Sequence, residues 1–364
     1  MDQSDIYSEK IIGTPGLTFD DVLLIPNYTE VKRDDIDISS SLTAVIKLKI
    51  PLISSPMDTV TEKEMAIAVG KLGGLGVIHR NLTVEDQIVQ VSAVKKENLL
   101  VASAVGVGSD LPLRVDSLIR AGCDVLFIDS AHGFSKWVIE ATSFIAKKYP
   151  KIGLISGSVA TASGAKALIE AGAKGLRVGM GPGSICTTRI VAGMGLPQIT
   201  AVMDTVTVAQ KFGIPVISDG GLRTSGDIVK ALASGASTVM TGSLLAGCRQ
   251  SPGKLVTING KKYKSYRGMG SVSAMREGSA QRYGQQYRQG QEKKLIPEGI
   301  EGYVPYQGTL EDVVTRLMGG LKAGMYYTGV KNVTELQENT RFIRVSQSSL
   351  IESHPHDIKT KDHS

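Results

Sequence analysis

The chain has 364 residues, of which 42% are hydrophobic and 21% charged, with 41 glycines and only 5% aromatic residues. This composition is typical of a globular protein that can bury a core, and the low aromatic content disfavours a β-sandwich. No stretch reaches the roughly 18 to 20 apolar residues that span a bilayer, and the opening MDQSDIYSEK has no apolar signal region. We therefore expect a cytoplasmic protein without a membrane segment.

The chain is basic, with a formal net charge of +6 and a pI near 9.0. This charge fits either nucleic acid or a phosphorylated metabolite as a partner, and it does not choose between them. The densest basic cluster comprises Lys261, Lys262, Lys264 and Arg267. Because no series of stacking aromatic residues or nucleic-acid module accompanies it, a solvated loop is the expected explanation and nucleic-acid binding a minor alternative.

Eight short β-rich runs recur along the chain, each ending in glycine or a small polar residue. In chain order they are LISSPM (52–57), LGVIHR (75–80), LLVASAVG (99–106), VLFIDSAHG (125–133), GLISGSVAT (153–161), GLRVGMG (175–181), PVISDGG (215–221) and TVMTGSLL (238–245). Apolar residues at helical spacing separate them, so the pattern predicts an α/β fold, a (β/α)₈ TIM barrel in one catalytic domain spanning residues 1–364.

The segment after the eighth run, residues 251–308, contains no clear barrel helix. Its polar stretch REGSAQRYGQQYRQGQEKK (276–294) is typical of a mobile loop or flap, because loops this long in a compact domain are usually lids or disordered. A helix is predicted to resume at LEDVVTRLMGGLKAGM (310–325). The polar tail from about 346 to 364 is expected to be flexible unless a neighbour holds it.

Active sites of TIM barrels lie after the C-terminal ends of the strands, so the residues at those ends are candidates for chemistry. Singly, each of them is as well explained as a cap or turn residue. They are Ser54, Met57 and Asp58 after the first run, Asp129 and His132 after the fourth, Cys186 after the sixth, Asp219 after the seventh, and Gly242 and Ser243 around the eighth.

Three cysteines, Cys123, Cys186 and Cys248, are too few for a disulfide framework, and no pair has zinc spacing. Cys123 and Cys248 are expected to be small core residues. Cys186 differs because VGMGPGSICTTR (178–189) surrounds it with amides and a cation that would favour a thiolate. The five histidines form no metal motif, so we expect no transition metal.

Two glycine-containing loops are candidates for phosphate binding. Gly179, Gly181, Gly183 and Ser184 permit close backbone approach to a ligand, although the motif alone is weak because it matches neither a Walker sequence nor a dinucleotide fingerprint. In the second, TVMTGSLLAG, amides follow the eighth strand, which is a customary phosphate position in this fold. With Asp219 as an acceptor for ribose hydroxyls, the loops suggest a nucleoside monophosphate.

Several motifs together carry a family resemblance. GPGSICTTR, SPMDTVTE, SDGG, YRGMGS, the Arg282–Tyr283 pair, PEGIEG (297–302) and ESHPHD (352–357) occur in an order that resembles bacterial-type inosine 5′-monophosphate (IMP) dehydrogenases over roughly residues 15–358. The resemblance implies oxidation of IMP to XMP with NAD⁺ in guanine nucleotide synthesis. It assigns catalysis to Cys186, as the nucleophile that forms a thioimidate, and to Thr188, Arg282 and Tyr283, which act in flap-assisted hydrolysis.

The same resemblance implies the remaining site residues and partners. It assigns IMP contacts to Ser54, Met57, Ser184, Asp219, Gly221, Gly242, Ser243, Tyr266, Gly268, Met269, Gly270 and Glu298, and NAD contacts to Asp129, Ser130, Arg177 and Gly179. It places a potassium ion among Gly181, Gly183 and Cys186, completed by Glu352, Ser353 and His354 of the partner subunit. A homotetramer is therefore expected.

Two departures from the family pattern stand out. Ser158 in GSVAT replaces the usual asparagine, and VSAVKKENLLVASAVG leaves no room for the tandem CBS regulatory module that commonly follows the second helix. Nucleotide control through such a module should therefore be absent. GMP reductase, which shares the barrel and the cysteine loop, is the nearest alternative, but its members lack the flap with the Arg-Tyr pair and PEGIEG. A scaffold protein without catalysis is a more distant one.

Overall fold

Eight parallel strands close into a barrel in the computed structural model, which describes residues 10–358. The strands are Leu52–Ser54, Leu75–Ile78, Ala102–Val105, Val125–Ile128, Gly153–Val159, Gly175–Val178, Val216–Asp219 and Thr238–Thr241. Each pairs with the next, and pairing of the eighth with the first, through Thr241 and Ser54, completes the ring. Every predicted run contains one of these strands, so the predicted TIM barrel is confirmed.

Helices alternate with the strands and cover the outside of the barrel. They are Lys63–Lys71, Val84–Lys96, Leu111–Arg120, Lys136–Lys148, Ala162–Glu170, Gln198–Ala209, Ser225–Ala233 and Leu310–Thr328. Four of these helices begin with a threonine whose hydroxyl caps the first turn: that of Thr224, for example, accepts a hydrogen bond from the Asp227 amide at 3.2 Å. Gly172 follows its helix with a φ of +103°, a conformation that favours glycine and turns the chain toward the next strand.

The barrel interior is a packed apolar core. Its buried members are Leu42, Leu48, Ile53, Leu75, Val77, Ala102, Ala104, Val125, Phe127, Ile155, Ile217 and Met240. Leu42 and Leu48 come from the segment containing the short paired strands Ser40–Ser41 and Lys47–Leu48, which lies against Gly175 at the start of the sixth strand. This segment therefore closes the N-terminal end of the barrel, and the opposite end is left for the functional site.

The segment 251–308 has more regular structure than its sequence indicates. Strands Leu255–Ile258, Lys261–Arg267 and Glu301–Pro305 form an antiparallel sheet. Between them lie the short helix Val272–Arg276 and the 3₁₀ turns Ser279–Tyr283 and Glu292–Lys294. The strand 255–258 is largely exposed, so it lacks the alternation that would have predicted it. The mobility of the stretch 276–294 remains a prediction.

The basic cluster in this sheet is not simply a solvated loop, which corrects the sequence-based expectation. Lys264 is buried, and its ammonium group donates hydrogen bonds to the carbonyls of Ser251 at 2.6 Å and Arg249 at 3.4 Å. Arg267 is ion-paired with Asp58 and Glu277. These two side chains therefore serve the packing of the sheet against the barrel.

The remaining elements are one small sheet that joins the two ends of the described chain and several short helical segments. Strand Val22–Leu24 pairs with Phe342–Arg344, and the described part also contains the 3₁₀ turns Phe19–Asp21, Arg33–Asp35 and Gln210–Phe212 and the helices Thr188–Val191, Ser243–Ala246, Val333–Asn339 and Gln347–Glu352. The tail predicted from 346 thus begins with a short exposed helix. None of the helices in residues 10–358 is both long and apolar enough to cross a bilayer.

The connection between the second barrel helix and the third strand is short. The helix ends at Lys96 and the strand begins at Ala102, so five residues join them. Glu97 and Asn98 close the helix through hydrogen bonds to carbonyls of its last turn. A folded module of about 100 residues cannot be accommodated in this connection, which supports the expected absence of a CBS pair.

Candidate active site

A cleft opens at the C-terminal end of the barrel, between the strand ends and the segment 251–308. This end of a TIM barrel is where the active sites of the fold lie. The cleft is lined by these residues singled out from the sequence: Met57, Ser158, Arg177, Gly179, Gly181, Gly183, Ser184, Cys186, Thr188, Asp219, Gly221, Gly242, Ser243, Tyr266, Gly268, Met269, Gly270, Arg282, Tyr283 and Glu298. Residues far apart in sequence thus meet in one cleft.

One end of the cleft combines glycine backbone with hydroxyl groups. Ser184 follows the sixth strand, Gly221 the seventh and Ser243 the eighth, while Tyr266 reaches in from the antiparallel sheet. Burial raises the pKa of the Tyr266 hydroxyl, and a hydrogen bond with Ser184 works against this increase. The neutral hydroxyl can donate to an anion. Amide and hydroxyl donors at the ends of strands seven and eight are suited to a phosphate group.

Gly242 allows this end of the cleft to be narrow. A Cβ atom at Gly242 would lie 2.8 Å from the hydroxyl oxygen of Tyr266 and 2.9 Å from the sulfur of Met57. No real Cβ atom tolerates such distances without a shift of its neighbours. The absence of a side chain therefore lets the Gly242 backbone approach a ligand held beside Tyr266 and Met57.

Cys186 lies in the turn after the sixth strand, where its thiol is partly exposed to the cleft. The Cys186 amide donates to the Gly183 carbonyl at 3.0 Å, and the Sγ–H group donates to Thr188 Oγ1 at 3.2 Å. Cys123 and Cys248 are buried, and burial raises the pKa of each thiol to about 12. Among the three cysteines, all within residues 10–358, Cys186 is the partly exposed one, so its role as nucleophile stays a prediction.

The PEGIEG segment pairs with the cysteine loop. The Thr187 amide donates to the Glu298 carbonyl at 2.9 Å, and the Ile300 amide donates to the Ile185 carbonyl at 3.0 Å. These two hydrogen bonds flank Cys186, which itself lies opposite Gly299. The end of the segment 251–308 therefore fixes the backbone that carries the thiol.

Asp219 ends the seventh strand beside a close backbone contact. Its carboxylate lies 3.6 Å from Nε of Arg177, and its pKa is raised by burial, with Arg177 opposing the increase. Gly179 has a φ of +152°, and a Cβ atom there would lie 2.1 Å from the Asp219 carbonyl oxygen. Only glycine fits between these strand ends, which keeps the Asp219 carboxylate at the cleft wall.

Asp129 is the centre of a buried ion cluster. Arg177, which is 1% exposed, donates to the Asp129 carboxylate at 2.8 Å, and Ser158 Oγ accepts from the Arg177 guanidinium at 2.9 and 3.1 Å. Arg282 contacts the same carboxylate from the segment after the eighth strand. Ser158, at the position of the usual family asparagine, therefore orients Arg177.

Arg80 is a fourth member of this cluster that the sequence reasoning missed. Its Nε lies 3.7 Å from the Asp129 carboxylate, and burial, followed by the neighbouring Arg282 charge, lowers its pKa to about 10. Its position at the end of the second strand run, LGVIHR, was the available signal. Three guanidinium groups therefore face one carboxylate.

Tyr283 is packed into the cleft next to Arg282. A Cβ atom at Gly270 would lie 2.9 Å from the Tyr283 hydroxyl oxygen, so the ring approaches the YRGMGS loop closely. Burial raises the pKa of this hydroxyl, and the charge of Arg282 opposes the increase. Tyr283 is therefore a neutral donor or acceptor beside Arg282 at neutral pH.

Some predicted site residues do not line the cleft. Ser54 is fully buried behind it, where its Oγ accepts a hydrogen bond from Thr61 at 2.9 Å, and Ser55 lines the cleft instead. Ser130 Oγ donates to the His132 carbonyl at 3.1 Å, and Ser130 does not line the cleft. Glu352, Ser353 and His354 are exposed at the end of the helix Gln347–Glu352.

Comparison with known proteins agrees with this geometry. Residues 16–356 match the family model for the IMP dehydrogenase / GMP reductase domain. An inosine-5′-monophosphate dehydrogenase of Cryptosporidium parvum is 46% identical, covering 96% of this chain and 97% of that protein. One of Borreliella burgdorferi is 45% identical, covering 95% of this chain and 98% of that protein.

A third relative differs in length. The inosine-5′-monophosphate dehydrogenase of Halalkalibacterium halodurans is 40% identical, covering 94% of this chain and 96% of that protein. The alignment spans 470 residues, more than the 364 of this chain, so that relative carries sequence that is missing here. This agrees with a short form without the CBS module. The chain belongs to the IMP dehydrogenase / GMP reductase family and is an oxidoreductase.

Proposed function

We propose that this protein oxidises IMP to XMP with NAD⁺ and water, producing NADH and a proton. The observation that carries the proposal is the presence of the partly exposed Cys186 thiol and of Arg282 in the same cleft. A nucleophile and a group suited to the hydrolysis of its adduct are thus within one site. The relatives are named as dehydrogenases of the same substrate, inosine 5′-monophosphate.

The 5′-phosphate of IMP would bind at the end of the cleft formed by Ser184, Gly221, Ser243 and Tyr266. Backbone amides and hydroxyl donors suit a phosphate there. Asp219 would accept hydrogen bonds from the ribose hydroxyls. The purine would then extend toward Cys186, between the cysteine loop and the loop containing Met269 and Gly270.

In the first half of the reaction, Cys186 Sγ forms a bond to the purine C2 and the thiol proton is released. The hydrogen on C2 leaves with its electron pair as a hydride, which NAD⁺ accepts. Cys186 is then joined to the purine as a thioimidate. The contact between Sγ and Thr188 Oγ1, 3.2 Å long, orients the thiol before the attack.

In the second half, a water molecule adds to C2 and the bond between carbon and sulfur breaks, with a proton from the water passing to the sulfur, to give XMP and the free thiol. Arg282, aided by Tyr283 and Thr188, orients and activates this water. All three line the cleft around Cys186. An arginine used in this way has to be desolvated and held in place, and its Nε is buried without a hydrogen-bond partner among residues 10–358.

The residues around Asp129 fit the nicotinamide ribose of NAD⁺, because a carboxylate held by Arg177 can accept hydrogen bonds from vicinal hydroxyls. Arg282 contacts that same carboxylate. The ribose and Arg282 would therefore bind the Asp129 carboxylate in turn. The dinucleotide would be bound during hydride transfer, and the flap would be closed during hydrolysis. Gly179 and Ser130 complete the proposed contacts.

The carbonyl groups of Gly181, Gly183 and Cys186 fit a potassium ion, since a hard monovalent cation prefers oxygen ligands. Gly181 has a φ of +78°, which turns the backbone of this loop. Glu352, Ser353 and His354 are exposed in the single chain, as residues offered to the partner subunit would be. We propose that potassium binds between subunits of a homotetramer.

GMP reductase is the second candidate because the matched family model covers both activities. Contact of the Arg282–Tyr283 pair with the cleft favours the dehydrogenase, since the reductase requires no hydrolytic flap.

Intact-mass measurement tests the proposal. The protein is mixed with IMP, NAD⁺ and potassium, and the reaction is quenched in acid before the mass is measured. We expect a covalent purine nucleotide adduct on Cys186, lost in Cys186→Ala. NADH production without an adduct in either protein would refute the covalent route.

A further inference from the structure

Arg267 links the barrel to the segment that carries Arg282. Its Nε lies 3.1 and 3.2 Å from the two carboxylate oxygens of Asp58, and its Nη2 lies 2.7 Å from Oδ2 of Asp58. The same guanidinium also contacts the carboxylate of Glu277, through Nη2 and through Nη1, which lies 3.4 Å from Oε1. One planar cation thus joins two carboxylates from separate parts of the chain.

The two ends of this link differ in rigidity. Asp58 follows the first barrel strand, its side chain is 7% exposed, and Asn81 Nδ2 donates to it at 2.8 Å. Glu277 has a side chain that is 61% exposed, and its carboxylate is paired with Arg267. The barrel therefore fixes the guanidinium, and the guanidinium in turn positions Glu277.

Glu277 directly precedes the part of the flap that reaches the cleft. Gly278 follows with a φ of +125°, and the 3₁₀ turn Ser279–Tyr283 begins directly after it. Ser279 Oγ donates to the Met269 carbonyl, and the Ala131 amide donates to the Arg282 carbonyl at 3.3 Å. Glu277 is thus the first anchored residue of the stretch that brings Arg282 to Asp129.

We propose that Glu277 is a positioning residue, whose ion pair with Arg267 holds the turn Ser279–Tyr283 over the cleft and so favours hydrolysis over rebinding of NAD⁺. This inference rests on the proposed function, in which Arg282 and the dinucleotide use Asp129 in turn. Loss of the pair would lower the closed fraction of the flap. An exposed ion pair shifts such an equilibrium by about two- to fivefold.

Glu277→Gln tests this idea because the amide keeps the size of the side chain and removes its charge. The matched control is Glu170→Gln, since Glu170 is 60% exposed and pairs with Lys166 on a barrel helix remote from the cleft. Stopped-flow absorbance separates the burst of NADH formed in the first turnover from the steady-state rate of NADH formation. We expect the burst of Glu277→Gln to equal that of the unmodified protein, with a steady-state rate about two- to fivefold lower and inhibition by NAD⁺ at lower concentration.

Limited trypsin digestion gives a readout that does not depend on turnover. Cleavage within residues 276–294 should be faster in Glu277→Gln than in either the unmodified protein or Glu170→Gln. Equal cleavage and equal steady-state rates would overturn the positioning role, as would an equal loss of burst and steady state. If the unmodified protein makes no NADH, the proposed function fails, and the digestion alone still decides whether Glu277 holds the flap.

Discussion

Arg282 contacts the carboxylate of Asp129, although the two residues are separated by more than 150 positions and belong to different layers of the fold. Asp129 follows the fourth barrel strand, whereas Arg282 is carried by the segment after the eighth. Arg177 also donates to this carboxylate, so in the proposed function Arg282 and a ribose hydroxyl of NAD⁺ would compete for the rest of it. That competition would order the two halves of the proposed reaction.

Arg282→Ala should separate the two halves of the reaction. Hydride transfer depends on Cys186 and bound dinucleotide, so a stoichiometric burst of NADH should persist, while steady-state turnover should fall by at least a factor of about 100, as for loss of a group that activates water. Rapid-quench mass measurement should show the Cys186 adduct accumulating. Arg282→Lys is the control that retains the charge. An unchanged steady state in Arg282→Ala would exclude Arg282 from hydrolysis.

Alkylation should be selective for one thiol. Burial raises the pKa of Cys123 and of Cys248 to about 12, so both stay protonated at any pH well below that value, and both are inaccessible. Iodoacetamide at pH 8 should therefore add a single group, on Cys186, because the thiolate is the reactive form. Peptide mapping identifies the site. Bound IMP should slow the reaction, and labelling of Cys123 or Cys248 at the same rate would contradict the described burial.

Asp129→Asn should destabilise the fold as well as the site. The change preserves shape but removes the negative charge that faces Arg177, which is 1% exposed and would keep Asp219, at 3.6 Å, as its charged partner. Leaving a buried cation without its main partner costs about 3 kcal/mol in the free energy of unfolding. Urea denaturation measures this loss. Glu140→Gln, which removes an exposed pair with Lys136, should cost less than about 0.5 kcal/mol.

Gly179→Ala should impair IMP binding. The new Cβ would lie 2.1 Å from the Asp219 carbonyl oxygen, and the φ of +152° disfavours any residue with a side chain, so the seventh strand end has to move. Calorimetric titration should show affinity for IMP reduced at least tenfold. Gly226→Ala is the control, since its nearest contact would be an ordinary 3.5 Å to Thr224. Equal affinities in the two variants would mean that the Gly179 contact does not shape the site.

The sequence was informative wherever a local pattern determined the structure. Alternation of β-rich and helical segments predicted all eight barrel strands, and the strand-end rule brought Cys186, Asp219 and Ser243 to one face. Side-chain partners were harder to predict. Ser54 has the position of a site residue in the sequence, but in the structure its hydroxyl bonds to Thr61 behind the cleft.

The segment 251–308 was difficult for a related reason. Its strands are held by long-range contacts, such as the Arg267 pairs with Asp58 and Glu277, which leave no periodic signal in the local sequence. Arg80 likewise becomes part of the site only through the distant Asp129. Local propensity cannot report such tertiary contacts.

The most direct test of the central claim is NADH absorbance after the protein is mixed with IMP, NAD⁺ and potassium, with GMP and NADPH in a parallel reaction. We expect NADH to form in the reaction with IMP and NADPH to remain stable in the reaction with GMP. In Cys186→Ala, NADH formation should be abolished although IMP still binds. Consumption of NADPH with GMP would instead identify a reductase. No change in either reaction would contradict a catalytic role and favour a binding protein.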